Sequence, residues 1–213
     1  MQAVTPLSTL YSGSPLNVCG TGCMANDGGN FYFFVPNYVT QDIIRFSFGS
    51  SIRNTPVVTN MGAFGLTAGS LPALDIVKDS ATNQWYGIAA NYGQLLILSF
   101  GSSLSNTPVS IVRTMSAVQW GHEVKLMRYG GNWIAFLGNR NTNMVRFDFG
   151  SSPTNMPTVT NIPNVGGLST PCSFAIYQQS GNWYMLIPSL ISGNLTRYEF
   201  GRNLLNNSPV GVS

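Results

Sequence analysis

One phrase recurs through the chain and constrains its fold more than anything else in it. Phe48-Gly49-Ser50-Ser51-Ile52-Arg53-Asn54-Thr55-Pro56-Val57 returns as Phe100-Gly101-Ser102-Ser103-Leu104-Ser105-Asn106-Thr107-Pro108-Val109 and as Phe149-Gly150-Ser151-Ser152-Pro153-Thr154-Asn155-Met156-Pro157. A fourth copy, Phe200-Gly201-Arg202-Asn203-Leu204-Leu205-Asn206-Asn207-Ser208-Pro209-Val210, is one residue longer. The Phe-Gly steps are 52, 49 and 51 residues. Self-similarity at a fixed period of about 50 marks a repeat architecture.

A second landmark keeps the same period: an aromatic after a Gly/Asn turn, at Phe31, Trp85, Trp133 and Trp183. Short β-like runs surround both landmarks, clearest in the second copy as Ala73–Lys78, Trp85–Asn91, Leu95–Phe100 and Pro108–Arg113. Each is rich in β-branched or aromatic residues and bounded by Gly, Asn, Ser or Pro. Helical periodicity is absent. Four strands per repeat of this length predict an all-β fold, a β-propeller whose strands run from the central channel outward. Blades covered on both faces account for near-continuous apolar strands such as Phe31–Val35. The reading is a single propeller-type domain over 1–213, with repeats at about 20–62, 63–115, 116–165 and 166–213. The start of the chain, 1–19, is an extra strand or the remnant of a preceding blade. Ring closure stays open.

Within the phrase, each residue type has a turn-building reason. Phe48, Phe100, Phe149 and Phe200 end a strand and wedge between blades, while Gly49, Gly101, Gly150 and Gly201 permit a turn that other residues resist. Ser and Asn cap that turn. Pro56, Pro108, Pro157 and Pro209 lack an N–H and suit the start of an edge strand. Upstream, Arg45, Arg146 and Arg197 share a position that Ile97 breaks; Arg146 with Asp148, and Arg197 with Glu199, are spaced to pair on one strand face.

The loop six residues past the strand-B aromatic is the candidate binding face. It reads Asn37-Tyr38, Asn91-Tyr92, Asn139-Arg140 and Ser189-Leu190. Amides bond hydroxyls and rings cover apolar faces, so this set suits glycan or peptide contacts. The plainer reading is that Asn favours turns. Trp120 falls on the same side and is the best exposed-aromatic candidate.

Charged residues make up only 8%, against roughly 25% in an average soluble protein. The ten Lys and Arg form no run that would track a phosphate backbone, so nucleic acid is not an expected partner. No apolar run approaches the roughly 18 residues of a membrane span, and residues 1–20 lack signal-peptide character. The three cysteines, Cys19, Cys23 and Cys172, with one histidine, His122, do not make a zinc site; a Cys19–Cys23 bridge stays open. The seven carboxylates occupy different repeat positions, and no nucleophile motif accompanies His122. No enzyme activity, cofactor or metal is expected.

The combination of Pro72 or Pro171, Asn-x-Trp-Tyr, Asn-Tyr or Asn-Arg, and Arg-Phe-Asp-Phe-Gly-Ser-Ser resembles the propeller repeats of secreted Bacteroidota proteins. It also resembles those of tail-associated structural proteins of their phages, and is distantly similar to NHL-type propellers. That resemblance implies a non-enzymatic structural or adhesive module in an extracellular or virion setting, with protein subunits or a cell-surface protein or glycan as partners. The alternatives are a glycan-binding propeller and an NHL-like hydrolase.

Overall fold

The computed structural model describes residues 16, 18–66, 73–140 and 143–213. They form sixteen strands in four antiparallel four-stranded sheets, each built from consecutive strands. The first blade holds β1 (Cys23–Asp27), β2 (Asn30–Pro36), β3 (Ile43–Gly49) and β4 (Val57–Asn60). The second holds β5 (Ala73–Asp79), β6 (Gln84–Asn91), β7 (Gln94–Gly101) and β8 (Val109–Thr114). The third holds β9 (Gly121–Tyr129), β10 (Asn132–Asn139), β11 (Met144–Gly150) and β12 (Thr158–Ile162). The fourth holds β13 (Ala175–Gln179), β14 (Asn182–Pro188), β15 (Leu195–Gly201) and β16 (Val210–Val212). The expected four-stranded blades are therefore present. Of the segment 1–19 expected to be an extra strand or blade remnant, all but residues 16, 18 and 19 lie outside the described residues, as does the repeat proline Pro72. Among the described residues no helix is long and apolar enough to cross a membrane.

The repeated phrase builds one turn four times. Its glycine holds φ between +67° and +72° in every copy, a left-handed conformation that other residues resist. The asparagine side chain then closes the turn onto the phenylalanine carbonyl: Asn54 Nδ2 donates to Phe48 O at 2.9 Å, Asn106 to Phe100 O at 2.8 Å and Asn155 to Phe149 O at 3.0 Å. In the longer copy Asn206 does this, donating to Phe200 O at 3.2 Å. The inserted Asn207 accepts instead from Arg146 Nη2 at 2.9 Å. The extra residue thus serves the neighbouring blade.

Each blade has a front face toward the next blade and a back face toward the previous one, because side chains alternate along a strand. Front residues Tyr32, Phe34 and Ile43 meet back residues Trp85, Leu98 and Phe100 of the second blade. Ile88, Leu95 and Ile97 meet Trp133, Phe147 and Phe149 of the third. Ile134, Phe136 and Met144 meet Met185, Tyr198 and Phe200 of the fourth. Aromatic pairs mark every seam: Phe34–Phe100 at 5.6 Å, Tyr86–Trp133 at 5.4 Å and Phe136–Phe200 at 5.9 Å.

An arginine crosses each seam to an oxygen of the next blade's turn. Arg45 Nη1 donates to Leu104 O at 2.7 Å, and Arg146 reaches Asn207. In the second blade Ile97 occupies that position. Arg113, paired with Leu95 on the adjoining strand, supplies the guanidinium and donates to Thr154 O at 2.6 Å. The last residue of the inner strand also reaches that turn. Asp27 Oδ2 accepts from Leu104 N at 2.9 Å, and Tyr129 Oη accepts from Leu204 N at 3.2 Å. The equivalent turn residue of the third blade is Pro153, which has no N–H to give. There Asp79 bonds Arg128 at 2.8 Å instead.

Candidate functional site

The loops joining strands B and C gather at one end of the channel with the connections that lead into each blade. Asn37, Asn91 and Asn139 are buried, and their amides are engaged within the protein. Asn37 Nδ2 donates to Asp42 at 2.6 Å, Asn91 Nδ2 to Gln41 Oε1 at 3.3 Å and Asn139 Nδ2 to Ala117 O at 2.8 Å. Asn139 Oδ1 also accepts from Gln119 N at 3.1 Å. These side chains tie loops together. The residues beside them point outward: Tyr92 is 57% exposed, Arg140 is exposed and Tyr38 is half-buried.

Three of the candidate residues meet at the mouth. Arg140 lies over the Trp120 ring at 4.1 Å, and Tyr38 stands 6.3 Å from Trp120 between centroids. Tyr38 comes from the first blade and Trp120 from the connection into the third, so the cluster spans the channel mouth. Among the described residues Tyr92, from the second blade, makes no ring contact with this cluster. The backbone explains the placement of Trp120. Tyr38 N donates to Val18 O at 2.7 Å, Arg140 N to Trp120 O and Leu190 N to Thr170 O. All three acceptor residues have positive φ, 48°, 52° and 54°. Trp120 is therefore at a repeated left-handed corner that locks the incoming connection to the loop.

Beside this cluster is a cavity of about 340 Å³ lined by Cys19, Gly20, Thr21, Tyr38, His122 and Cys172. Burial, with the nearby Arg140 charge, holds the His122 imidazole below its usual range, so it is neutral at pH 7. Among the described residues Trp120 Nε1 and His122 Nε2 have no hydrogen-bond partner. Cys19, Cys23 and Cys172 are free thiols.

Further along the inner strands, register places Cys23, Asp75, Lys125 and Ala175 at one repeat position. Lys125 Nζ pairs with Glu123 Oε1 at 2.9 Å. The other Glu123 oxygen accepts from Ser173 Oγ and, at 2.8 Å, from Phe174 N. Asp75 Oδ2 accepts from Leu126 N at 2.9 Å. Burial pushes the Asp75 carboxyl up despite Leu126 and Lys125, and the Glu123 charge adds to that rise. The Cys23 thiol is also pushed up, by burial first and by Asp75 second, which keeps it protonated. Sequence reading missed this group because Asp75 and Glu123 occupy non-equivalent positions. Only the register shows that adjacent inner strands carry them to the same stretch of channel.

No family model matches the sequence, and no curated protein matches it significantly. Solved structures match in fold. The catalytic domain of a Coprinopsis cinerea GH62 α-L-arabinofuranosidase superposes with a TM-score of 0.61 at 14% identity, covering 89% of this chain and 66% of its own. A Podospora anserina α-L-arabinofuranosidase in complex with cellotriose gives 0.60 at 11%, covering 91% and 66%. An endo-1,4-β-xylanase from Bacteroides thetaiotaomicron gives 0.63 at 7%, covering 92% and 72%. The chain thus spans about two thirds of the length of these neighbours, which are β-propeller glycoside hydrolases. At these identities the likeness is one of fold. It overturns the expectation of a non-enzymatic assembly module, because the matching propellers are carbohydrate-active enzymes. That expectation rested on the repeat resemblance, on carboxylates that share no repeat position and on the absence of a nucleophile motif beside His122.

Proposed function

We propose that this protein is a carbohydrate-active propeller that takes a saccharide at the mouth formed by Tyr38, Trp120 and Arg140. The observation that carries the reading is the juxtaposition of that aromatic cluster with the 340 Å³ cavity. Half-buried rings suit the apolar faces of sugars, and Arg140 and neutral His122 supply bonds to hydroxyls. Glycoside cleavage calls for a proton donor and an ionised carboxylate. Asp75, its carboxyl raised by burial, is the donor in this reading, and Glu123, ion-paired with Lys125, is the second carboxylate. Resemblance of the repeat to those of secreted bacterial and phage tail proteins supports an extracellular place of work, on surface or plant polysaccharide.

Arabinoxylan and xylo-oligosaccharides are the first substrates to test, since the neighbours include arabinofuranosidases and a xylanase. Saccharide titration followed by tryptophan fluorescence is expected to saturate, with at least about tenfold weaker binding in Trp120→Ala. Asp75→Asn is expected to bind but release no sugar. Absence of both binding and sugar release across a broad glycan panel would sink the reading.

A further inference from the structure

Of the four residues that follow Asn37, Asn91, Asn139 and Ser189, only Arg140 is charged; the others are Tyr38, Tyr92 and Leu190. Among the described residues Arg140 has no acidic partner, and its guanidinium lies over the Trp120 ring at 4.1 Å. Other arginines are engaged within the fold. Arg45 and Arg113 donate to turn carbonyls, and Arg128, Arg146 and Arg197 pair with carboxylates. Carboxylates on the same loops and strands are engaged too. Asp42 accepts from Asn37, Thr40 and Asn60, and Glu123 from Lys125, Ser173 and Phe174. Tyr38 belongs both to the aromatic cluster and to the cavity beside it, and none of the six residues lining that cavity is acidic. The mouth therefore carries a positive charge that no carboxylate of the described residues offsets.

His122 reaches the cavity through an irregularity in β9. Glu123 pairs with Gly138 and Gly121 with Asn139, which leaves His122 without a cross-strand partner. A bulge of this kind re-aims a side chain, and here the imidazole lines the cavity. An uncharged group is enough to bond a sugar hydroxyl. A guanidinium stacked on a ring offers more, because its N–H donors lie in its own plane and match both oxygens of a carboxylate.

Resting on the saccharide reading of the mouth, we propose that its ligand is an acidic sugar. A uronic-acid residue pairs its carboxylate with Arg140, packs its ring beside Tyr38 and shares a hydroxyl bond with His122. Arg140 is exposed, so solvent screens the pair and the preference for the acid is moderate.

Calorimetric titration of the wild-type chain tests this with two ligands that differ only in charge. One is xylotriose bearing a single glucuronic acid; the other is the same oligosaccharide with that carboxyl reduced to the primary alcohol. The acid is expected to bind about tenfold more tightly, and the preference to shrink as salt rises from about 0.05 to about 0.5 M. Arg140→Leu is expected to bring the ratio to about one, and Arg140→Lys, which keeps the charge without the fork, to restore only part of it. Equal binding of the two ligands, or a preference that survives Arg140→Leu, overturns the proposal while the saccharide reading stands. Failure of both ligands to bind also overturns it, and sinks the saccharide reading as well if a panel of neutral glycans fails too.

Discussion

At Gly150 an added methyl group would meet nothing within 4 Å, yet φ is +68°. Gly150→Ala therefore isolates the backbone cost of the repeated turn, about 1–2 kcal/mol, readable as a shifted denaturation midpoint. An unchanged midpoint would mean that the turn relaxes. Asn155→Ala removes the bond to Phe149 O and is expected to cost about 1 kcal/mol. Asp42 accepts from Asn37, Thr40 and Asn60. Burial raises its carboxyl, but these three bonds together outweigh it and hold the group below the usual range. The turn chemistry was legible in the sequence because it is local. Even so, the longer fourth copy shows a limit: spacing from Pro209 marks Asn207 as the turn residue, whereas the structure uses Asn206. Counting back from proline misplaces the role; counting forward from Phe200 places it correctly.

At the scale of the blade, the strands of the second repeat fall within one residue or so of their expected bounds, since strong apolar runs end at Gly, Asn and Pro. The seams were less legible. Arg113 substitutes for the missing arginine at Ile97 from a different strand, and nothing linear connects the two. Asp79 turns to Arg128 because Pro153 offers no N–H. The candidate site divides the same way. Repeated Asn points to the loops at the mouth, but those amides fasten loops, and the aromatic cluster there is Trp120 with its neighbours. Its left-handed corner recurs at Val18 and Thr170, residues so unlike that no motif reveals them. Phe136, fully buried against Phe200, tests a seam directly: Phe136→Ala is expected to cost about 3–5 kcal/mol. A loss under about 1 kcal/mol would show that the blades slide together to fill the space.

Across the whole molecule, charge is sparse enough that a few carboxylates set the pH response. Asp27, Asp42 and Asp79 are all raised by burial, but hydrogen bonds bring each below its ordinary value, helped by Lys78 at Asp27 and Arg128 at Asp79. The stability they contribute is present above the unfolded value of roughly 4 and is lost as pH falls through the folded one. Asp75 runs the other way: its folded value is raised, so it favours folding at low pH and loses that contribution as pH rises from about 4. Three against one, the net expectation is lower stability on acidification from pH 5, measured by denaturant midpoints. Asp75→Asn should leave that acid limb in place while flattening the segment just above it. If instead stability peaks in acid, the rise at Asp75 outweighs the three lowered carboxylates and this expectation is wrong.

The thiols described at the channel offer the molecule its own reporter. Cys19 and Cys172 border the mouth cavity, and Cys23 lies two residues beyond Thr21 with its proton held tightly. Alkylation followed by intact mass should therefore separate an accessible pair from a resistant third. A saccharide seated between Tyr38 and His122 would slow the first two and leave the third unchanged, which makes occupancy countable without a label.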